Sequence, residues 1–173
     1  MSKVLEVKIY GDEILKQIAS PISEITNEIS ELISDMIETM YHKDGIGIAA
    51  PQVGVSVRII VCDYEYSKTG EKKPIVYINP EIIEFDGDIT SEEGCLSVPN
   101  VFADVTRFSA IKIKYLDINM KEQIVVAEDT QAVVLQHEID HLNGILFVDK
   151  VSKLKRMALS FKLNKLAKND KNV

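Results

Sequence analysis

Only two cysteines, Cys62 and Cys95, occur in the 173 residues. They are too few for a disulfide framework, which points to a reducing, cytoplasmic setting. The opening "MSKVLEVKIYGDEILK" has charges scattered through it and no apolar run of signal-peptide length. Nor is it the Arg- and Ser-rich, acid-poor stretch of an organelle transit peptide. No segment approaches the length of a membrane span. Repeats, low-complexity tracts and dividing linkers are also missing, so residues 1–173 are expected to form one domain, long enough to bury a real core. With 46% hydrophobic and 27% charged residues, the composition is that of an ordinary soluble globular protein.

Positive charge is scarce in the body and concentrated at the end. The net charge of −7 divides into +7 over residues 150–173 and −14 over the first 149. The basic residues are Lys150, Lys153, Lys155, Arg156, Lys162, Lys165, Lys168 and Lys171, against the single acid Asp170. An acidic body repels nucleic acid, so neither DNA nor a membrane is an expected partner. The basic end reads either as a solvated helix face or as a patch that attracts RNA.

Residues 12–20 read as a short helix stopped before Pro21, because the residue preceding proline disfavours helical dihedrals. Ile25, Ile29, Leu32, Ile33, Met36, Ile37, Met40 and Tyr41 recur at helical spacing behind the capping candidates Thr26 and Asn27. They predict an amphipathic helix over about 26–43. Residues 55–64, 73–85 and 109–117 are rich in β-branched side chains and predict strands, the last pairing through a turn at 117–119 with "KEQIVVAE". Asp129 or Thr130 is expected to cap a helix running to Asn143, with Gly144 as its stop. A last helix over roughly 152–168 is expected to bury a stripe of Leu154, Met157, Ala158, Phe161 and Leu166. Together these elements give an α+β fold: mixed, mainly antiparallel sheets around a central helix, with a C-terminal helix.

The central helix contains "HEIDH", residues 137–141. Residues four apart on a helix differ by 40° in direction and ~6 Å along the axis, so His137 and His141 can share one metal ion. Glu138 is turned away from the pair and suits a general base beside such an ion. A third ligand is harder to find. The position six residues beyond His141 is Phe147, no glutamate follows Glu138, and His42 ends the first long helix beside Lys43 as a surface residue. Cys95, in "SEEGCLSVP", is the candidate: it has polar neighbours, and Gly94 permits a close backbone approach. Cys62, in the apolar run "RIIVC", reads instead as a small core residue. A Cys-His-His set leaves one coordination position open, as catalysis requires.

The glycines of "DGIGIAAPQVG" match a dinucleotide fingerprint only superficially. The segment follows a helix rather than a strand, and "PQVGVS" cannot form the helix that would hold pyrophosphate. A tight backbone wall along a cleft fits better, with Gln52 supplying an amide donor.

Three segments, Gly45–Gln52 (G-x-G-x-A-A-x-Q), Glu93–Ser97 (E-G-C-L-S) and His137–His141 (H-E-x-x-H), together resemble peptide deformylase. The resemblance covers essentially the whole chain, including a terminal helix typical of one bacterial subgroup, and implies a mixed α+β fold. It implies that Cys95, His137 and His141 bind Fe(II), with zinc, nickel or cobalt as substitutes, and that Glu138 is general base and acid. The Leu96 N–H and Gln52 would form the oxyanion hole. Gly47 and Gly94 would meet the substrate backbone, and Val133, Val134 and Ile46 would line a pocket for methionine. The implied reaction removes the formyl group from N-formylmethionyl nascent peptides and releases formate. Many members have glycine after "SVP", whereas this chain reads "NVFAD", so the rim there is expected to differ.

Two other readings compete. A two-histidine zinc peptidase lacks its downstream glutamate or histidine here. A non-enzymatic, metal-stabilised module contacting ribosomes through the basic helix would have no need of Glu138.

Overall fold

The computed structural model describes residues 1–170; Lys171, counted above in the basic end, lies outside the described residues. The first long helix, α1 (Asn27–His42), begins where Thr26 accepts a hydrogen bond from the Ile29 N–H at 3.3 Å. Its buried side carries Ile33, Met36, Met40 and Tyr41, as the spacing predicts. Residues 12–20 form only a single 3-10 turn, Glu13–Lys16, capped by Asp12.

Strands β1 (Gly47–Ala49) and β2 (Ile59–Cys62) precede a one-turn helix α2 (Tyr66–Thr69). Then come β3 (Ile75–Asp86), β4 (Ile89–Cys95), β5 (Val98–Arg107), β6 (Ala110–Leu116) and β7 (Glu122–Glu128). Five strands make one antiparallel sheet in the order β1-β2-β3-β6-β7, and β4-β5 forms a separate hairpin. That hairpin is absent from the sequence reading, which recognised an extended segment around Cys95 but not its partner. In β5 the alternation is clear once seen: Val101, Ala103, Val105 and Arg107 point inward while Phe102, Asp104 and Thr106 face solvent.

Helix α3 (Asp129–Leu142) runs between the two sheets and is buried on nearly every side. Leu135, Ile139 and Leu142 join Ile60, Ile111 and Ile113 in one core cluster. The expected cap is not made: the N-cap residue is Glu128, without a side-chain hydrogen bond, and Asp129 lies at φ 50 as the first helical residue. The stop is as expected, with Gly144 left-handed at φ 72.

The terminal helix α4 (Lys153–Asp170) corrects the predicted stripe. Leu154, Met157, Ala158 and Phe161 are exposed, and Leu159, Leu163 and in part Leu166 pack instead against Val101, Val105 and Phe147. The helix carries two apolar stripes on roughly opposite sides, and periodicity cannot choose between them. The Leu159–Leu163 side meets the apolar surface of β5 and Phe147, and Arg156 joins the same contact by reaching the Val148 carbonyl and Asp149, each at 2.7 Å.

Candidate metal centre and active site

The three predicted ligands meet. Cys95 at the end of β4 and His137 and His141 on α3 each offer one ligand atom, and these atoms all lie within 4.8 Å of one another. Cys95 Sγ is 3.3 Å from His141 Nε2. A bulge between Glu93 and Cys95 turns the sulfur toward the helix. His42 is exposed on α1 and Cys62 is fully buried in the core, both as read from sequence.

The imidazoles are prepared for a ligand role in different ways. His137 Nδ1 bonds Glu93 Oε1 at 2.8 Å, which leaves Nε2 as its free nitrogen. Burial opposes a charge on this ring, yet Cys95 and Glu93 raise its pKa to about 10. Burial, with His137 and Arg107, pushes His141 well below the usual histidine range, so its lone pair is free near neutrality. The donor set of one soft sulfur and two imidazoles suits zinc, iron, cobalt or nickel.

Glu138 is buried beside β1, and its Oε2 has no hydrogen-bond partner. Burial raises its pKa to about 7, the range in which a carboxyl can both accept and return a proton. Gly47 makes room for it: a Cβ at that position would stand 2.6 Å from Glu138 Oε1. Gln52, expected to supply an amide donor on the cleft wall, is buried in the 3-10 turn Ala50–Val53. Its Oε1 accepts from the Ala49 N–H at 2.9 Å, which aims Nε2 at Cys95 Sγ (3.4 Å) and Ser97 Oγ (3.2 Å).

These groups open onto a cavity of about 690 Å³. Gln52, Leu96 and Glu138 line it near the ligands, Ile46, Val133 and Val134 form an apolar side, and Gly47 and Gly94 provide backbone walls. Every predicted site residue therefore lies on this cavity except His141, which is buried behind Cys95. Gly94 has a second use, since a Cβ there would meet Phe102 at 2.7 Å. Phe102 belongs to the "NVFAD" segment and stands exposed at the rim.

Sequence reasoning assigned no role to Glu93, Arg107 or Asp140. Arg107 grips Glu93 with two hydrogen bonds, at 2.6 and 2.9 Å, and Asp140 with a third at 2.8 Å. Burial works against the charge on Glu93, but His137 and Arg107 hold its pKa below the ordinary carboxylate value. The available signal was proximity in sequence, Glu93 standing two residues before Cys95 and Asp140 between the two histidines, but the bulge between Glu93 and Cys95 breaks the strand alternation that would have predicted their facing.

The family model for polypeptide deformylase matches residues 4–157. A peptide deformylase of Thermodesulfovibrio yellowstonii is 51% identical over 153 residues, 88% of this chain and 92% of that one. That of Alkalilimnicola ehrlichii is 44% identical over 165 residues, 95% of this chain and 92% of its own. Among solved structures, a peptide deformylase from Legionella pneumophila superposes with a TM-score of 0.87 at 42% identity, covering 98% of this chain and 99% of that one. A class I type b peptide deformylase from Acinetobacter baumannii, solved with Met-Ala-Ser bound, gives 0.81 at 42% identity over 87% of this chain and all of its own. With the family model spanning most of the sequence and these relatives matched over nearly their full lengths, this chain belongs to the polypeptide deformylase family.

Proposed function

We propose the following division of labour for the deformylase reaction, in which the formyl group of an N-formylmethionyl nascent peptide is hydrolysed and formate released. Cys95, His137 and His141 hold the metal, Fe(II) in the cell, with zinc, nickel or cobalt as substitutes. The chemistry supplied by a divalent ion at these three residues would be Lewis acidity toward a water and the formyl carbonyl. Glu138 accepts the proton of the attacking water and returns it to the departing amine nitrogen. Gln52 Nε2 and the Leu96 N–H donate to the oxygen on which negative charge develops, a contribution of about 3 kcal/mol for one such donor.

Val133, Val134 and Ile46 take the methionine side chain. The peptide backbone pairs with the edges at Gly47 and Gly94, since β1 is an edge strand of the large sheet and β4 pairs only with β5. The Met-Ala-Ser peptide bound by the Acinetobacter baumannii relative supports a substrate of this kind.

The whole chain, residues 1–173, acts as one catalytic domain, and it works in the cytoplasm. None of the described helices is long and apolar enough to cross a membrane. The exposed stripe of Leu154, Met157 and Phe161, flanked by lysines, supports ribosome contact through α4. DNA is not a partner in this reading.

The observation that carries the assignment is the convergence of the Cys95, His137 and His141 ligand atoms beside an unpartnered Glu138 oxygen. Formate release from formyl-Met-Ala-Ser, against the acetylated peptide and with metal content measured in parallel, tests it. Equal hydrolysis of both peptides, or activity in metal-free protein, would overturn it.

A further inference from the structure

We infer that Asp140 is a positioning residue for the metal centre, acting through Arg107 and Glu93 on His137. This rests on the metal site proposed above.

Asp140 lies inside the HEIDH turn but does not join the cluster of ligand atoms. Its Oδ2 accepts from Arg107 Nη1 at 2.8 Å and forms an ion pair with Lys150 Nζ at 3.4 Å. Arg107 is buried on the inward side of β5, and its other two donors grip both oxygens of Glu93. Glu93 Oε1 in turn holds His137 Nδ1. The result is an unbroken path from the surface ammonium of Lys150 to the ring of a metal ligand.

The path has a geometric purpose. A guanidinium is a planar fork, and two of its edges are engaged by carboxylates from different elements, β4 and α3. With Asp140 in place, the fork is held from a second side against rotation away from Glu93, which keeps Glu93 Oε1 against His137 Nδ1. Asp140 also closes a loop: α3 supplies both His137 and the residue that steadies its partner. Removing Asp140 leaves a buried cation with one fewer partner.

The test uses Co(II) alone as the probe, with affinity from chelator competition and geometry from the visible d–d bands. Wild-type protein is compared with Asp140→Asn, which keeps the shape and loses the charge, and with Arg107→Lys, which keeps the charge and loses the fork. Circular dichroism confirms that each is folded. The Asp140 side chain is 14% exposed at the edge of the core, where an isosteric amide is readily accommodated. Both variants are expected to bind Co(II) about 10–100-fold more weakly, the usual scale for groups that orient metal ligands, with shifted bands. At saturating metal, KM for formyl-Met-Ala-Ser should stay unchanged while kcat falls. Wild-type affinity and spectrum in Asp140→Asn would overturn the positioning role. Weakened binding in Asp140→Asn with wild-type behaviour in Arg107→Lys would also overturn it, in favour of a bare charge effect. Wild-type protein that binds no Co(II) would overturn the metal centre itself, and this inference with it.

Discussion

Replacing Gly47 by alanine should cost about two orders of magnitude in kcat while leaving the metal in place. The added Cβ would stand 2.6 Å from Glu138 Oε1 and 3.0 Å from both Cδ and Cγ, where ordinary contact begins at 3.4 Å. The carboxylate oxygen must therefore retreat by about 0.8 Å, a distance set by the difference between those separations. It cannot move freely, because Glu138 is buried in a packed interior. A misplacement near 1 Å at a reacting group costs roughly 10²-fold, which is about 2.7 kcal/mol at the barrier. Gly47 is not among the positive-φ residues, so alanine adds no backbone strain and the fold should survive. Formate release from formyl-Met-Ala-Ser gives kcat, elemental analysis gives metal content and thermal melting reports the fold. Activity within threefold of wild type, with metal and stability unchanged, would refute the claim that Gly47 exists to make room for Glu138.

Glu138→Gln should retain metal and lose activity by roughly 10²–10⁴-fold, the scale of a general acid–base group; full turnover would remove its assigned role. Cys95→Ala should bind metal weakly and lose turnover, and wild-type metal content by elemental analysis would rule out the sulfur ligand. Asp63 offers a pH test away from the centre. It accepts from Tyr41 Oη at 2.5 Å and from the N–H groups of Tyr66 and Lys73 at 3.1 and 2.7 Å. Burial raises its pKa, but these donors outweigh burial and hold the net value below that of a free aspartate. Its stabilisation is therefore complete above the unfolded pKa of about 4 and is lost as pH falls through the lower folded value. Asp63→Asn should destabilise the protein by about 1–3 kcal/mol at pH 7. In urea unfolding its gap from wild type should narrow near pH 3, and a gap that widens in acid would contradict the sign.

Much of the fold was legible because its signals are local. Thr26 announces the start of α1 through a side-chain cap, and Gly144 announces the end of α3 through a left-handed residue. The β4-β5 hairpin escaped notice because the turn at Leu96 and Ser97 has no glycine pair to mark it. In α4 the periodicity was sound but ambiguous: two apolar stripes share eighteen residues, and only packing against Val101, Val105 and Phe147 distinguishes the inward one. Gln52 was legible as an amide donor, but its burial beside Cys95 and Ser97 depends on the fold.

The sequence by itself determined that two imidazoles four residues apart face one way on a helix, that Glu138 stands beside them and that no later histidine or glutamate can complete the set. Helical pitch and the order of residue types are enough for that. The tertiary structure decided the rest: that Cys95 meets those rings from another sheet, that Gly47 leaves the space Glu138 occupies, and that Glu93, Arg107 and Asp140 tie a ligand to the surface. These depend on pairing between segments 14 residues apart, for Glu93 and Arg107, to about 90 apart, for Gly47 and Glu138, where no local periodicity reaches. Burial then turns ordinary carboxyl and imidazole groups into ones with shifted charge, because their neighbours are protein rather than water.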